Sequence, residues 1–317
     1  MERIATLDHG ITRIDADYVR PALDAFYLVV ENGRAAFIDT GTSLAAPRAL
    51  EALASLGLGR DAVDYVMPTH VHLDHGGGAG ALMAACPSAR LVAHPRGAGH
   101  LIDPTRLIAG SAEVYGADEM VRKFGEIVPV PAARVIESED GMEIDLGGRP
   151  LRLLHTEGHA RHHYCVWDAA SRGIFTGDTF GISYREFDTA RGAFIFATTT
   201  PVQLDPDAWL ATVDRLMALD PDAAYLAHFG RVGELPRLAD DLRDDLRAVR
   251  DLALAHADDL DPARGIRTDL EARFLARLAE HGVDWPREKV LEHLDMDLDL
   301  NAQGLAVWLA RQRRGRG

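Results

Sequence analysis

The pattern of apolar positions changes character along the chain. Residues 1–42 read as β structure, in which Phe26–Val30 and Ala35–Ile38 are apolar strands joined by Glu31-Asn32-Gly33-Arg34. Asn-Gly between two such runs predicts a tight hairpin. Residues 47–57 show helical spacing through Leu50, Leu53 and Leu56, with Pro47 near the start and Gly57 just past the end. The run from Val63 reads as a buried strand that ends at Pro68. A helix over Ala79–Cys86 and a strand over Ala89–His94 follow. This βαβα order predicts helices covering sheet faces, an α/β (α+β) architecture.

Residues 97–130 mix helical and loop signals, with Met120–Phe124 helical, and read as an insertion over the site. Strands return at Glu143–Leu146, Leu151–His155, Tyr164–Trp167 and Gly173–Thr176, with turns at Gly147-Gly148 and Ser171-Arg172-Gly173. After Gly230 the period becomes three to four. Leu235, Leu238, Leu242, Leu246, Val249 and Leu252 mark one amphipathic helix, Leu270, Phe274, Leu275 and Leu278 a second, and Leu305, Trp308 and Leu309 a third. A boundary is therefore expected near 231, giving a main domain over 1–230 and a helical region over 231–317. The terminal Arg311, Arg313, Arg314 and Arg316 read as a solvated tail.

Composition changes this picture little. At 317 residues, 47% hydrophobic and 26% charged, the chain is ordinary globular material with room for one large domain and an appendage. A formal net charge of −15 disfavours nucleic acid and anionic membrane as partners, since both attract basic surface. No apolar run reaches the length of a membrane span, and Met1-Glu2-Arg3-Ile4 opens no leader-like stretch. A cytoplasmic protein is expected. Cys86 and Cys165 stand apart in apolar runs, which suits two buried thiols and leaves one disulfide open.

The chemistry concentrates in Thr69-His70-Val71-His72-Leu73-Asp74-His75, followed by Gly76-Gly77-Gly78. A strand that stops, a loop of ligand-type side chains and a glycine-led helix make a metal-binding layout. Residues two apart in a loop can point the same way, so His70 and His72 can hold one ion. Asp74 and His75 then face a second. Further candidates sit at later strand ends: His159 in Thr156-Glu157-Gly158-His159, Asp178 in Phe175-Thr176-Gly177-Asp178, and His228 in Tyr225-Leu226-Ala227-His228. Asp39, in Asp39-Thr40-Gly41, either caps its turn or orients a histidine from behind. His162 and His163 either pack at the start of the next strand or act likewise, His163 being the candidate. Phe180, Tyr184, Phe187, Phe194 and Phe196 follow Asp178 closely. They read as core or, with Thr198-Thr199-Thr200, as an apolar acyl pocket whose lining would include Tyr184, Phe194 and Phe196.

The motif His-x-His-x-Asp-His at 70–75, with the later strand-end residues, resembles the metallo-β-lactamase superfamily of binuclear hydrolases over residues 20–230. The resemblance implies an αββα sandwich, here with a C-terminal helical appendage. It also implies two divalent metal ions: His70, His72 and His159 on the first, Asp74, His75 and His228 on the second, and Asp178 between them. Nitrogen and carboxylate donors suit zinc and also iron or manganese. Two cations flanking one water yield a hydroxide nucleophile and polarise a carbonyl, with Asp74 carrying the proton.

Departures narrow the class. The Asp178 arrangement and the absence of a leader argue against antibiotic hydrolysis. His72 stands where flavodiiron proteins have glutamate, and the complete second site argues against single-iron sulfur dioxygenases. Nucleases need basic surface. Lactonases, thioesterases of the glyoxalase II type and related esterases remain. Acyl-homoserine lactonases often place a tyrosine where Gly181 stands, with Tyr184 three further on. The Asn-Pro-Phe segment of glyoxalase II is absent, which does not support glutathione thioesters. The architecture is similar to the thioesterase of bacterial alkylquinolone signalling. The expected function is hydrolysis of a carboxylic ester, lactone or thioester of a small molecule by a metal-bound hydroxide. The rivals are an iron-dependent redox enzyme and a non-catalytic metal-containing sensor or interaction protein. The apolar helices after 231 are compatible with a homodimer.

Overall fold

A computed structural model describes residues 2–199 and 203–315. Thr200 and Arg316 lie outside the described residues. The chain divides into two compact units. The first comprises Met1–His155, His162–Gly177 and Pro221–Gly233, the second Thr156–Arg161, Asp178–Asp220 and Glu234–Gly317. Thus Thr156–Arg161 and Asp178–Asp220, which the sequence pattern groups with residues 1–230, fall in the unit that also holds the C-terminal helices.

The first unit is built on two sheets. Strands β1 (Ile4–Thr6), β2 (Ile11–Asp15), β3 (Ala25–Glu31), β4 (Arg34–Ile38), β5 (Val63–Met67), β6 (Arg90–Ala93) and β7 (Val135–Glu137) form one sheet in chain order. It is antiparallel up to β4 and parallel from there on. The β3–β4 turn is the predicted hairpin, with Asn32 and Gly33 both left-handed at φ 47° and 77°. The second sheet contains β8 (Glu143–Leu146), β9 (Arg149–His155), β10 (Tyr164–Asp168), β11 (Gly173–Gly177), β12 (Ala223–Leu226) and β13 (Gly230–Val232). Its spatial order is β13-β12-β11-β10-β9-β8.

The sheets share one core, so they lie face to face. Tyr27, Val29, Ala36, Ile38 and Met67 from the first meet Leu151, Leu153, Tyr164, Phe175 and Tyr225 from the second. The Tyr27 ring meets Phe175 and Tyr225 edge-on at 5.2 and 5.6 Å, and its hydroxyl donates to the Leu226 carbonyl. The period of two sends Phe26, Leu28 and Phe37 to the other face, where they are also buried. On that face helix α1 (Ala46–Ser55) packs on β2 and β3, and α2 (Ala79–Ala85) on β5 and β6. Strands covered on both faces read as nearly continuous apolar runs, which explains the pattern of β3. Residues 97–130 form α3 (Pro95–Ile102), α4 (Thr105–Tyr115) and α5 (Ala117–Phe124), of which the sequence pattern indicates only the end of α5.

The second unit carries α6 (Pro206–Met217), α7 (Leu235–Ala255), α8 (Pro262–His281) and α9 (Arg287–Gly315). The predicted stripes are its inner faces: Leu238, Leu242, Leu246 and Val249 of α7, Leu270, Phe274 and Leu278 of α8, and Leu305 and Leu309 of α9 are buried. Asp245 of α7 is buried with them, and its Oδ1 accepts from Arg273 at 3.1 Å and Arg277 at 2.6 Å. Cys86 and Cys165 are both buried, and among the described residues neither forms a disulfide. Among the described residues no helix is long and apolar enough to cross a membrane.

Candidate metal centre

In the first unit, strand ends deliver ligand-type side chains to one place. The loop 69–78 leaves β5 and enters α2, and it is pinned to the β4 end. The Asp39 carboxylate accepts from the Thr69 amide at 2.7 Å and from the Thr69 hydroxyl at 2.9 Å. Thr40 donates to the His75 carbonyl through its amide at 2.9 Å and its hydroxyl at 2.6 Å. A Cβ on Gly78 would press on the Thr40 and Thr42 carbonyl oxygens at 2.8 Å, so the closing turn needs glycine there.

Within this frame Asp74, His75 and His228 each offer one ligand atom, all within 4.8 Å of one another. Asp74 Oδ2 lies 3.8 Å from His75 Nε2 and 3.7 Å from His228 Nε2. The far ring nitrogens face acceptors: His75 Nδ1 lies 3.2 Å from Asp39 Oδ2, and His228 Nδ1 2.8 Å from the Leu23 carbonyl. Acceptors at Nδ1 hold the hydrogen there and leave the Nε2 lone pair pointing inward. That is the donor set a divalent cation requires. Asp24 is buried beside this triad. Burial raises its carboxyl to about 8 against the opposing pull of His228 and His75, with Asp74 and Asp39 reinforcing the rise.

His70 and His72 meet through Nε2 and Nδ1 at 2.8 Å, while His70 Nδ1 lies 3.1 Å from the Thr69 hydroxyl. Behind His70 stand His163, with ring centres 4.9 Å apart, and His162, stacked at 6.1 Å. Farther along, His94 and His155 are ring neighbours at 4.2 Å.

In the second unit His159 and Asp178 form a buried pair, with Nε2 3.3 Å from Asp178 Oδ2. The Thr198 carbonyl lies 3.1 Å from His159 Nδ1. Trp209 of α6 closes the edge of the His159 ring at 5.7 Å and donates its indole N–H to the Thr179 carbonyl at 2.5 Å. No local signal marks Trp209 as part of the site, although Asp205 followed by Pro206 signals a helix start there. Tyr184, Phe194 and Phe196, the candidate pocket aromatics, are buried and pack within this unit. Phe196 meets Phe274 edge-on at 5.0 Å, Arg277 lies over Phe194 at 4.8 Å, and Tyr184 donates its hydroxyl to Asp297.

Two face-to-face sheets whose strand ends gather histidines and aspartates define a metal-binding class of protein. The sequence model described as the metallo-beta-lactamase superfamily matches residues 25–228, and the chain belongs to that superfamily. A metallo-beta-lactamase fold-containing protein of Sulfurisphaera tokodaii is 30% identical over 174 residues, 54% of this chain and 62% of that relative. The crystal structure of an archaeal superfamily protein from Sulfolobus tokodaii superposes with TM-score 0.62 and 27% identity, covering 77% of this chain and 87% of that one. A hydroxyacylglutathione hydrolase of Acidiphilium cryptum is 31% identical over 224 residues, 67% of this chain and 75% of that one.

Proposed function

We propose that the chain is a dinuclear metal-dependent hydrolase of a carboxylic ester, lactone or thioester. In this reading His70, His72 and His159 hold one ion, Asp74, His75 and His228 the other, and Asp178 serves both. The observation that carries it is the triad of Asp74, His75 and His228, whose ligand atoms converge within 4.8 Å. Both imidazoles of that triad are preset by acceptors at Nδ1. Imidazole and carboxylate donors suit zinc first, with iron or manganese as the alternatives. The similarity to hydroxyacylglutathione hydrolases favours a thioester within the class.

Divalent ions bound there would acidify a water between them and polarise the scissile carbonyl. The protein's own part is positional and protonic. Asp39 and the Leu23 carbonyl hold a hydrogen of His75 and His228 at Nδ1, which aims Nε2 inward as the ligand atom. Asp74, whose side chain keeps 23% exposure while its neighbours are buried, takes the water's proton and passes it to the leaving group. The net charge of −15 fits a small-molecule substrate better than a nucleic acid.

The test is metal content paired with a panel of lactones, thioesters, esters and phosphodiesters. About two metals per chain are expected, with turnover lost on chelation. Asp74→Asn should lower kcat by at least about 100-fold. A single iron per chain, with oxygen consumption and no hydrolysis, would replace this reading by the redox one.

A further inference from the structure

The orientation of His159 depends on a backbone atom. Its Nδ1 lies 3.1 Å from the carbonyl oxygen of Thr198, an acceptor that no side-chain substitution removes. Whatever fixes residues 197–199 therefore fixes the imidazole. From α7, the Asp245 carboxylate accepts the Ala197 amide at 2.9 Å. From α9, Asn301 straddles Thr198. Its Oδ1 accepts the Thr199 amide at 2.7 Å, and its Nδ2 donates to the Ala197 carbonyl at 3.3 Å. The Thr199 hydroxyl donates to the Asn301 carbonyl at 3.0 Å.

Asn301 and Asp245 are buried. Burying polar side chains is costly unless they are hydrogen-bonded. The apolar face of α9, with Leu294, Leu298, Leu305 and Leu309 buried, already supplies packing without them. One turn before Asn301 on the same face, Asp297 accepts the Tyr184 hydroxyl at 3.1 Å on each oxygen. The buried polar residues Asp297 and Asn301 of α9 are thus committed to the segment that follows Asp178.

We infer that Asn301 is a positioning residue for the metal centre. By clamping residues 197–199 it aims the Thr198 carbonyl at His159 Nδ1, and so sets the tautomer and direction of that ligand. The C-terminal helices then contribute directly to metal affinity. This rests on His159 being a metal ligand.

The experiment measures zinc affinity by competition with a chromophoric chelator and records the visible spectrum of the cobalt-loaded protein. Neither readout needs a substrate. Asn301→Ala should weaken one of the two sites, the one His159 serves, about tenfold and alter the cobalt bands. Thr199→Val, which removes only the hydroxyl bond, should act in the same direction by less and covers the case that Asn301→Ala fails to fold. Leu294→Ala removes packing from the same helix and should lower Tm while leaving affinity and spectrum unchanged. If Asn301→Ala or Thr199→Val behaves like Leu294→Ala, Asn301 is structural only and the inference is overturned. His159→Ala separates the two levels: unchanged stoichiometry and affinity in that variant would remove the metal reading of His159 itself.

Discussion

One carboxylate decides what His75 can offer. Asp39 divides its two oxygens between the Thr69 amide and His75 Nδ1, at 2.7 and 3.2 Å. An ionised carboxylate only accepts, so Nδ1 must carry the hydrogen and Nε2 the lone pair. Asn at this position has the same shape but one donor face. With its oxygen toward Thr69, its NH2 meets Nδ1 and forces the other tautomer; with the amide turned over, the Thr69 contact is lost. Asp39→Asn is therefore expected to reduce affinity for the second ion by roughly 10- to 100-fold. Chelator competition on the purified variant is the measurement, and wild-type affinity would return Asp39 to the bland role of capping its turn. The backbone at Asp39 is left-handed, φ 57°, a conformation that Asp tolerates better than most residues.

Among elements, what the chain discloses in advance depends on how local the cause is. The β3–β4 hairpin, α1, β5 and the stripes of α7 and α8 announce themselves because turn chemistry, periodicity and caps lie within a few residues of each other. The loop 69–78 is legible for the same reason, and Asp178 and His228 stand out by following apolar runs. Helix α4 has only exposed or half-buried positions among those described, so its period carries little core signal. Helix α3 is capped by His94, whose Nδ1 accepts the Arg96 amide at 3.1 Å, an N-cap that the usual Ser, Thr, Asp and Asn signals miss. Trp209 illustrates a cause that is not local at all. It reaches His159 from 50 positions away because Gly158 lets the backbone pass directly over it. Gly158 has φ 138°, and a Cβ there would overlap Trp209 Cβ. Gly158→Ala combines a strained backbone with an overpacked contact, for an expected loss of about 2–5 kcal/mol in denaturant unfolding. An unchanged unfolding midpoint would show that the Trp209 contact is not made.

Stability of the folded chain should depend on pH through groups that lose water on folding. Two of them pull in opposite directions. His94 is lowered to about 4 by burial first, then by His155, His162 and Arg96. Between about 4 and its ordinary 6.5 the unfolded chain binds the extra proton, so stability falls as pH drops through that window. Asp24, raised to about 8, holds its proton longer when folded, so its contribution is present at low pH and lost as pH rises toward 8. Bound metal beside His75 and His228 would change the Asp24 titration, which makes His94 the cleaner reporter. Protonating His94 also removes the acceptor that caps α3. His94→Asn keeps a good N-cap and deletes the titration. Comparing the two proteins cancels the ionisable groups remote from His94, including most of the carboxylates behind the net charge of −15. At pH 7.5 the difference between them should be flat with pH. By pH 4.5 the wild type should have lost about 2–3 kcal/mol relative to His94→Asn. Parallel stability curves for the two proteins across that range would mean that His94 is not held neutral by its burial. The acid-side loss would then have to come from carboxylates paired in the fold, such as Asp168 beneath Arg149, whose carboxyl is lowered by the hydrogen bonds from Arg149 and Ser171 that outweigh its burial.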